Sequence, residues 1–102
     1  MELKPGARLR SVTDVTEVVV VRAPADPVDV RCGGHPMVAI DAVDPAPAAV
    51  DPAFEAGTLL GKRYSDEDLG LELLCTKGGT SSLSVGSDVL EVKGVKPLPA
   101  SD

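Results

Sequence analysis

Apolar residues fall in short runs along this chain, and the runs come in two similar sets. One occupies residues 16–40 (TEVVVVRAPADPVDVRCGGHPMVAI), the other residues 71–92 (LELLCTKGGTSSLSVGSDVLEV). In each set a Glu precedes an apolar run. A segment rich in Pro, Asp or Gly breaks the run, and an alternating strand follows. The strand kinks at glycine and ends in another short apolar run. Residues 18–21 are consecutive valines, which suits a strand buried on both faces or lying at a barrel seam. Val28, Val30 and Cys32 alternate with Asp29 and Arg31, the period of a half-buried strand. Gly33 and Gly34 permit a tight kink, after which residues 37–40 resume as a strand. In the second set, residues 69–76 predict a strand and Lys77-Gly78-Gly79-Thr80 a hairpin turn with a flexible tip. Residues 83–85 then form the return strand and 89–92 the last one. Lys4-Pro5-Gly6 makes a turn before a short segment at residues 7–12, and residues 57–65 carry a strand. No segment carries the period of an amphipathic helix.

Residues 44–56 open with DPAPAAVDP and read as an extended, poorly structured connector. The expected fold is a single all-β domain over 1–102, a small sandwich or barrel with little or no helix. It is built from two related β-hairpin units, about 7–43 and 57–95, with a flexible tail at 96–102.

Composition narrows the function classes. Apolar residues make up 43%, but aromatics only 2% (Phe54 and Tyr64), and there is no Trp. Val, Leu and Ala must fill the core, and β-branched Val favours strands. A net charge of −6 with dispersed Lys and Arg argues against nucleic acid, as does the lack of an aromatic stacking platform. The sequence MELKPGARLR has no apolar signal region, and no run reaches membrane-spanning length, so the expectation is a cytoplasmic chain without membrane contact. Two cysteines in a reducing compartment are expected as thiols.

The stretch VDVRCGGHPMVAI resembles the second metal knuckle of the desulforedoxin family, whose fold is a small rubredoxin-like one. The family pattern is a strand, then Cys-Cys-Gly-x-Pro-Met, then another strand. Cys32 matches the first cysteine, Gly33 replaces the second, and Gly34, Pro36 and Met37 keep the frame. The family opens with an aromatic, Cys-x-x-Cys-Gly and Val-Glu-Val. Here Tyr64 is followed by Asp66, Leu69, Gly70 and Leu71-Glu72-Leu73, with Asp and Leu where cysteines would stand. The resemblance covers about half the chain and implies a scaffold of tandem knuckle hairpins. It does not carry an iron site, which wants four cysteines; Cys75 falls within a strand.

Cys32-x-x-His35 has the spacing of a metal knuckle, and Cys75 offers a third soft ligand, with Met37 extending the set toward copper. Cys32 beside two glycines, with His35 as base, is also a candidate nucleophile, but no Asn or Asp is placed to orient the imidazole. Lys77-Gly78-Gly79-Thr80-Ser81-Ser82 lacks the order of a phosphate-binding loop. Asp66, Glu67, Asp68 and the pair Asp41 and Asp44 lack the periodicity of a calcium loop and read as solvated surface. The preferred expectation is a non-catalytic accessory or protein-interaction module without a bound metal, touching another protein or a second copy of itself. The alternative is a small metal-binding protein, an electron carrier or metal chaperone, holding zinc, iron or copper through Cys32, His35 and Cys75.

Overall fold

The structure is a computed structural model and describes residues 2–43 and 46–93. The expected tail at 96–102 lies outside the described residues. The chain is all-β, as its patterning predicts, in two antiparallel sheets packed as a sandwich rather than a closed barrel. Ten strands follow in order: β1 (Arg8–Arg10), β2 (Glu17–Arg22), β3 (Val30–Cys32), β4 (His35–Pro36), β5 (Val38–Ala39), β6 (Arg63–Asp66), β7 (Leu71–Lys77), β8 (Leu83–Val85), β9 (Asp88–Val89) and β10 (Glu91–Val92). A short 3-10 turn, Pro52–Phe54, is capped by the Asp51 side chain. Among the described residues no helix is long and apolar enough to cross a membrane.

The six-stranded sheet has the order β10-β6-β7-β2-β1-β5 and the four-stranded sheet β4-β3-β8-β9. Both orders read the same when β1–β5 are exchanged for β6–β10. The registers agree: Leu9 faces Val18 as Tyr64 faces Leu73, and Glu17 pairs with Lys77 as Glu72 pairs with Arg22. A pseudo-two-fold axis therefore passes between Val19 and Leu74 in one sheet and between Arg31 and Ser84 in the other. Backbone hydrogen bonds repeat with the strands. Gly6 N–H donates to Val20 O, and Val20 N–H to Ala7 O; Gly61, Cys75 and Lys62 repeat both bonds. Met37 N–H reaches Val30 O as Leu90 N–H reaches Leu83 O, both at 3.0 Å, and Ile40 N–H meets Arg8 O as Lys93 N–H meets Arg63 O.

Each half changes sheet twice. β2 and β3, like β7 and β8, lie in different sheets, so neither pair is the hairpin that strand-turn-strand patterning predicts. The hairpins are instead β1–β2, β3–β4, β6–β7 and β8–β9. The second switch occurs at one buried apolar residue, Met37 between β4 and β5 and Leu90 between β9 and β10. The valine run alternates instead of burying both faces: Val18 and Val20 are buried, Val19 and Val21 half-buried. The core also holds Leu3, Leu9, Val30, Tyr64, Leu71, Leu73 and Leu83, so both halves close one apolar centre.

The connector is not loose over its described residues 46–56. Ala48 N–H donates to Val12 O, Asp51 N–H to Gly33 O and Ala56 N–H to Ser82 Oγ. Prolines there leave few backbone donors, and those that remain seat the segment against both halves: Val12 and Gly33 in the first, Ser82 in the second.

Candidate functional site

Both cysteines lie in the core. Cys32 ends β3, fully buried, and burial pushes its thiol up to about 11; the charge of Asp14 adds to the rise, and the nearby Ser11 and Thr16 hydroxyls oppose it. Cys75 lies within β7, its Sγ 3.2 Å from Lys77 O, and burial raises its thiol as well. The internal repeat explains both positions. Cys32 corresponds to Val85 and Cys75 to Val20, so each thiol stands where the other half uses valine. His35 is half-buried and faces Cys32 across the Gly33-Gly34 turn. Among the described residues no three His, Cys, Asp or Glu side chains gather in a metal-holding group.

The positions that the knuckle resemblance assigns to ligands can be located in both halves. Asp66 and Leu69 correspond to Ser11 and Asp14, and Cys32 and Gly33 to Val85 and Gly86. In the first half these residues belong to a hydrogen-bonded node. Thr13 Oγ1 meets Ser11 Oγ at 2.9 Å and Ser81 Oγ at 2.7 Å. Asp14 accepts from Thr16 N–H (3.1 Å), the Thr16 hydroxyl (3.0 Å) and Ser81 N–H (3.0 Å). Burial acts to raise the Asp14 carboxyl, but these bonds and the Ser11 hydroxyl outweigh it and hold the group below its ordinary value. An iron– or zinc–thiolate centre needs four strong donors. The residues here do not fit one: a hydroxyl, a carboxylate already taken up by protein donors, one protonated thiol and a glycine.

Residues 78–82 were expected to be a flexible tip and are instead packed into this node. Ser81 and Ser82 are buried, Gly33 N–H donates to Ser82 O, and the Thr58 hydroxyl donates to Ser81 O. A Cβ at Gly79 would collide with the Asp14 carboxylate and Thr16 hydroxyl, so only glycine fits. Sequence reasoning missed Ser11, Thr13, Asp14 and Ser81. Carrying the repeat back to residues 8–14 is the signal that would have found the first three.

The second half differs at the equivalent place. A cleft of about 330 Å³ opens between the β6–β7 turn and the β9–β10 kink, lined by Ser65, Asp66, Glu67, Asp68, Val89, Leu90 and Glu91. Asp66 there only caps its own turn, accepting from Leu69 N–H at 3.2 Å. Behind it Glu72, itself 1% exposed, is held by Lys93 Nζ at 2.6 Å and Arg63 Nη1 at 3.4 Å. The Lys93 bond, followed by the charges of Lys93, Arg63 and Arg22, lowers its carboxyl despite burial.

The turn before β6 carries two leucines in solvent, Leu59 and Leu60, 61% and 69% exposed. The equivalent turn before β1 holds Lys4 and Pro5. Both turns close with the same bond, Ala7 N–H to Lys4 O at 3.0 Å and Lys62 N–H to Leu59 O at 3.2 Å. Comparison with protein-family models, curated proteins and solved structures yields no significant match in any of the three.

Proposed function

We propose that the chain is a non-catalytic, metal-free β module that works by contact with another protein, with the Leu59–Leu60 turn as its contact point. The single observation that carries this reading is the exposure of those two leucines at a turn whose geometry does not need them. The same backbone turn is made with Lys4 and Pro5 in the first half, so tight turning alone accounts for neither leucine. Adjacent apolar side chains left in water favour a covered state. The groups that could do chemistry point the same way. Both thiols are buried, protonated at neutral pH and replaced by valine at their equivalents, which suits core residues better than ligands or nucleophiles. Kinship with desulforedoxin-like knuckles is part of the proposal. It is supported by two hairpins that each turn on a left-handed glycine, Gly33 and Gly86, ahead of a buried apolar residue.

A photoreactive side chain at position 60, with the same group at position 5 as control, tests the reading in the source cells. One discrete crosslinked protein at position 60 and none at position 5 is expected. Equal labelling at both, or none at either, removes the proposed contact point. Light scattering of the purified chain then reports whether the partner is a second copy.

A further inference from the structure

The two halves share a backbone plan, but among the described residues only the first has its knuckle surface covered. There the end of the first unit and the start of the connector lie against β1 and its turn: Arg10 Nη2 donates to Ala42 O at 3.1 Å, and Ala48 N–H donates to Val12 O at 3.0 Å. Arg10 and Val12 correspond to Ser65 and Glu67, both of which line the open cleft of the second half. The chain also leaves the two halves in the same way, at Ile40 bonded to Arg8 O and at Lys93 bonded to Arg63 O.

The sequence that follows is repeated too. After the first half it reads Val43-Asp44-Pro45-Ala46-Pro47-Ala48, and after the second Val95-Lys96-Pro97-Leu98-Pro99-Ala100. This Val-x-Pro-x-Pro-Ala match lies beyond the β-strand repeat, and no strand pairing requires it. Where the copies differ, the change suits the cleft. Asp44 becomes Lys96, and the cleft is walled by Asp66, Glu67, Asp68 and Glu91. Ala46 becomes Leu98, and the cleft exposes Val89 and has room for a larger side chain. A Pro-x-Pro segment is already extended and loses little entropy on docking.

We propose that the acidic cleft is a docking groove for an extended, cation-bearing Pro-x-Pro strand, and that its occupant is residues 95–100 of the same chain. They would cover the second half as the connector covers the first. The inference is independent of the Leu59–Leu60 reading, since it concerns another surface and a segment within the chain.

The test uses the full chain with a nitroxide attached through Ser101→Cys; the two native thiols are buried and do not compete for the label at neutral pH. Amide signals of Glu67, Asp68 and Val89 should broaden selectively, and those of Val12 and Thr13 should not. Uniform weak broadening, or none at the cleft, overturns the proposal. Mixing spin-labelled chain with isotope-labelled, unspun chain should leave the cleft signals sharp; broadening in that mixture means a second copy supplies the strand and also overturns it. Lys96→Glu should weaken the effect by about two- to fivefold, the range of one exposed ion pair. Adding Asp68→Lys should restore it, and failure of that rescue rejects charge pairing as the basis of recognition. Both substitutions are on exposed or tail positions, so an unchanged spectrum elsewhere verifies the fold.

Discussion

Gly33 and Gly86 hold the same place in the two halves, and alanine at each should have very different costs. Both adopt left-handed backbone, φ +67° and +58°. Alanine therefore incurs about 1 kcal/mol of backbone strain at either site, and the gain from a stiffer unfolded chain is common to both. The surroundings differ. A Cβ at Gly86 meets nothing within 4 Å, whereas one at Gly33 would lie 2.5 Å from Thr13 Oγ1 and 2.7 Å from Ser81 Oγ. Those two oxygens share the 2.7 Å bond that ties the halves together, and they would have to part. Separating this partly buried hydroxyl pair costs about 1–3 kcal/mol, and forcing a methyl into a packed site costs about 1–3 kcal/mol more. The expected losses are about 1 kcal/mol for Gly86→Ala and about 3–7 kcal/mol for Gly33→Ala. Urea unfolding with an unchanged m-value of about 2 kcal/mol/M reads the gap as a midpoint difference of about 1–3 M. Equal losses at the two sites, within about 0.5 kcal/mol, would refute the idea that the first knuckle is held shut by the hydroxyl node.

Other outcomes follow from the same geometry. Cys32→Val and Cys75→Val should each cost less than about 1.5 kcal/mol, because valine already occupies both equivalent positions; loss of folding in either, together with stoichiometric zinc, iron or copper bound by the unsubstituted chain, would restore the metal reading. In the folded protein both thiols should react with iodoacetamide far more slowly than in urea at neutral pH, and fast labelling of Cys32 would contradict its raised pKa. Asp14 and Glu72 both titrate below their ordinary values of 3.8 and 4.5, so their contribution is present above those values and fades as pH falls through and beneath them. Urea midpoints should therefore drop between pH 6 and pH 3. Glu72→Gln should cost about 1–3 kcal/mol at pH 7 and much less at pH 3; a pH-independent loss would mean that charge is not what holds this residue.

The parts legible in the sequence were those set by local chemistry. The alternation of Val30 and Cys32 with Arg31, and of Leu83 and Val85 with Ser84, located β3 and β8, and aligning Glu17 with Glu72 exposed the repeat. Pairing was not legible. Lys77-Gly78-Gly79-Thr80 between two apolar runs looks like a hairpin, yet β8 pairs with β3 and not β7. Periodicity tells which face of a strand is apolar, not which neighbour it joins. The node was hidden for a related reason. Ser11, Thr13 and Asp14 resemble any turn, and their roles depend on Ser81, far along the chain. Residues 46–56 read as loose because prolines exclude helix and ladder alike, while the hydrogen bonds that seat them come from Val12 and Gly33 of the first half and Ser82 of the second.

The repeat also separates what the fold needs from what it leaves available. Features present in both halves, such as the glycine knuckle, the buried residue at each sheet switch and the Glu facing a cation across β2 and β7, are explained by building one sandwich. Features present in one half need another reason. The Thr13–Asp14–Ser81 node has one at hand: it joins the first half to the crossover of the second. For the acidic cleft and the Leu59–Leu60 turn the reasons proposed above differ: the cleft would seat residues 95–100 of the same chain, and the turn would meet a partner protein. An acidic wall beside exposed Val89 and an apolar pair in water both leave the isolated sandwich with unfavourable surface. The two halves thus diverge at these surfaces, and in the core at Cys32 against Val85 and Cys75 against Val20, while their backbone bonds stay matched.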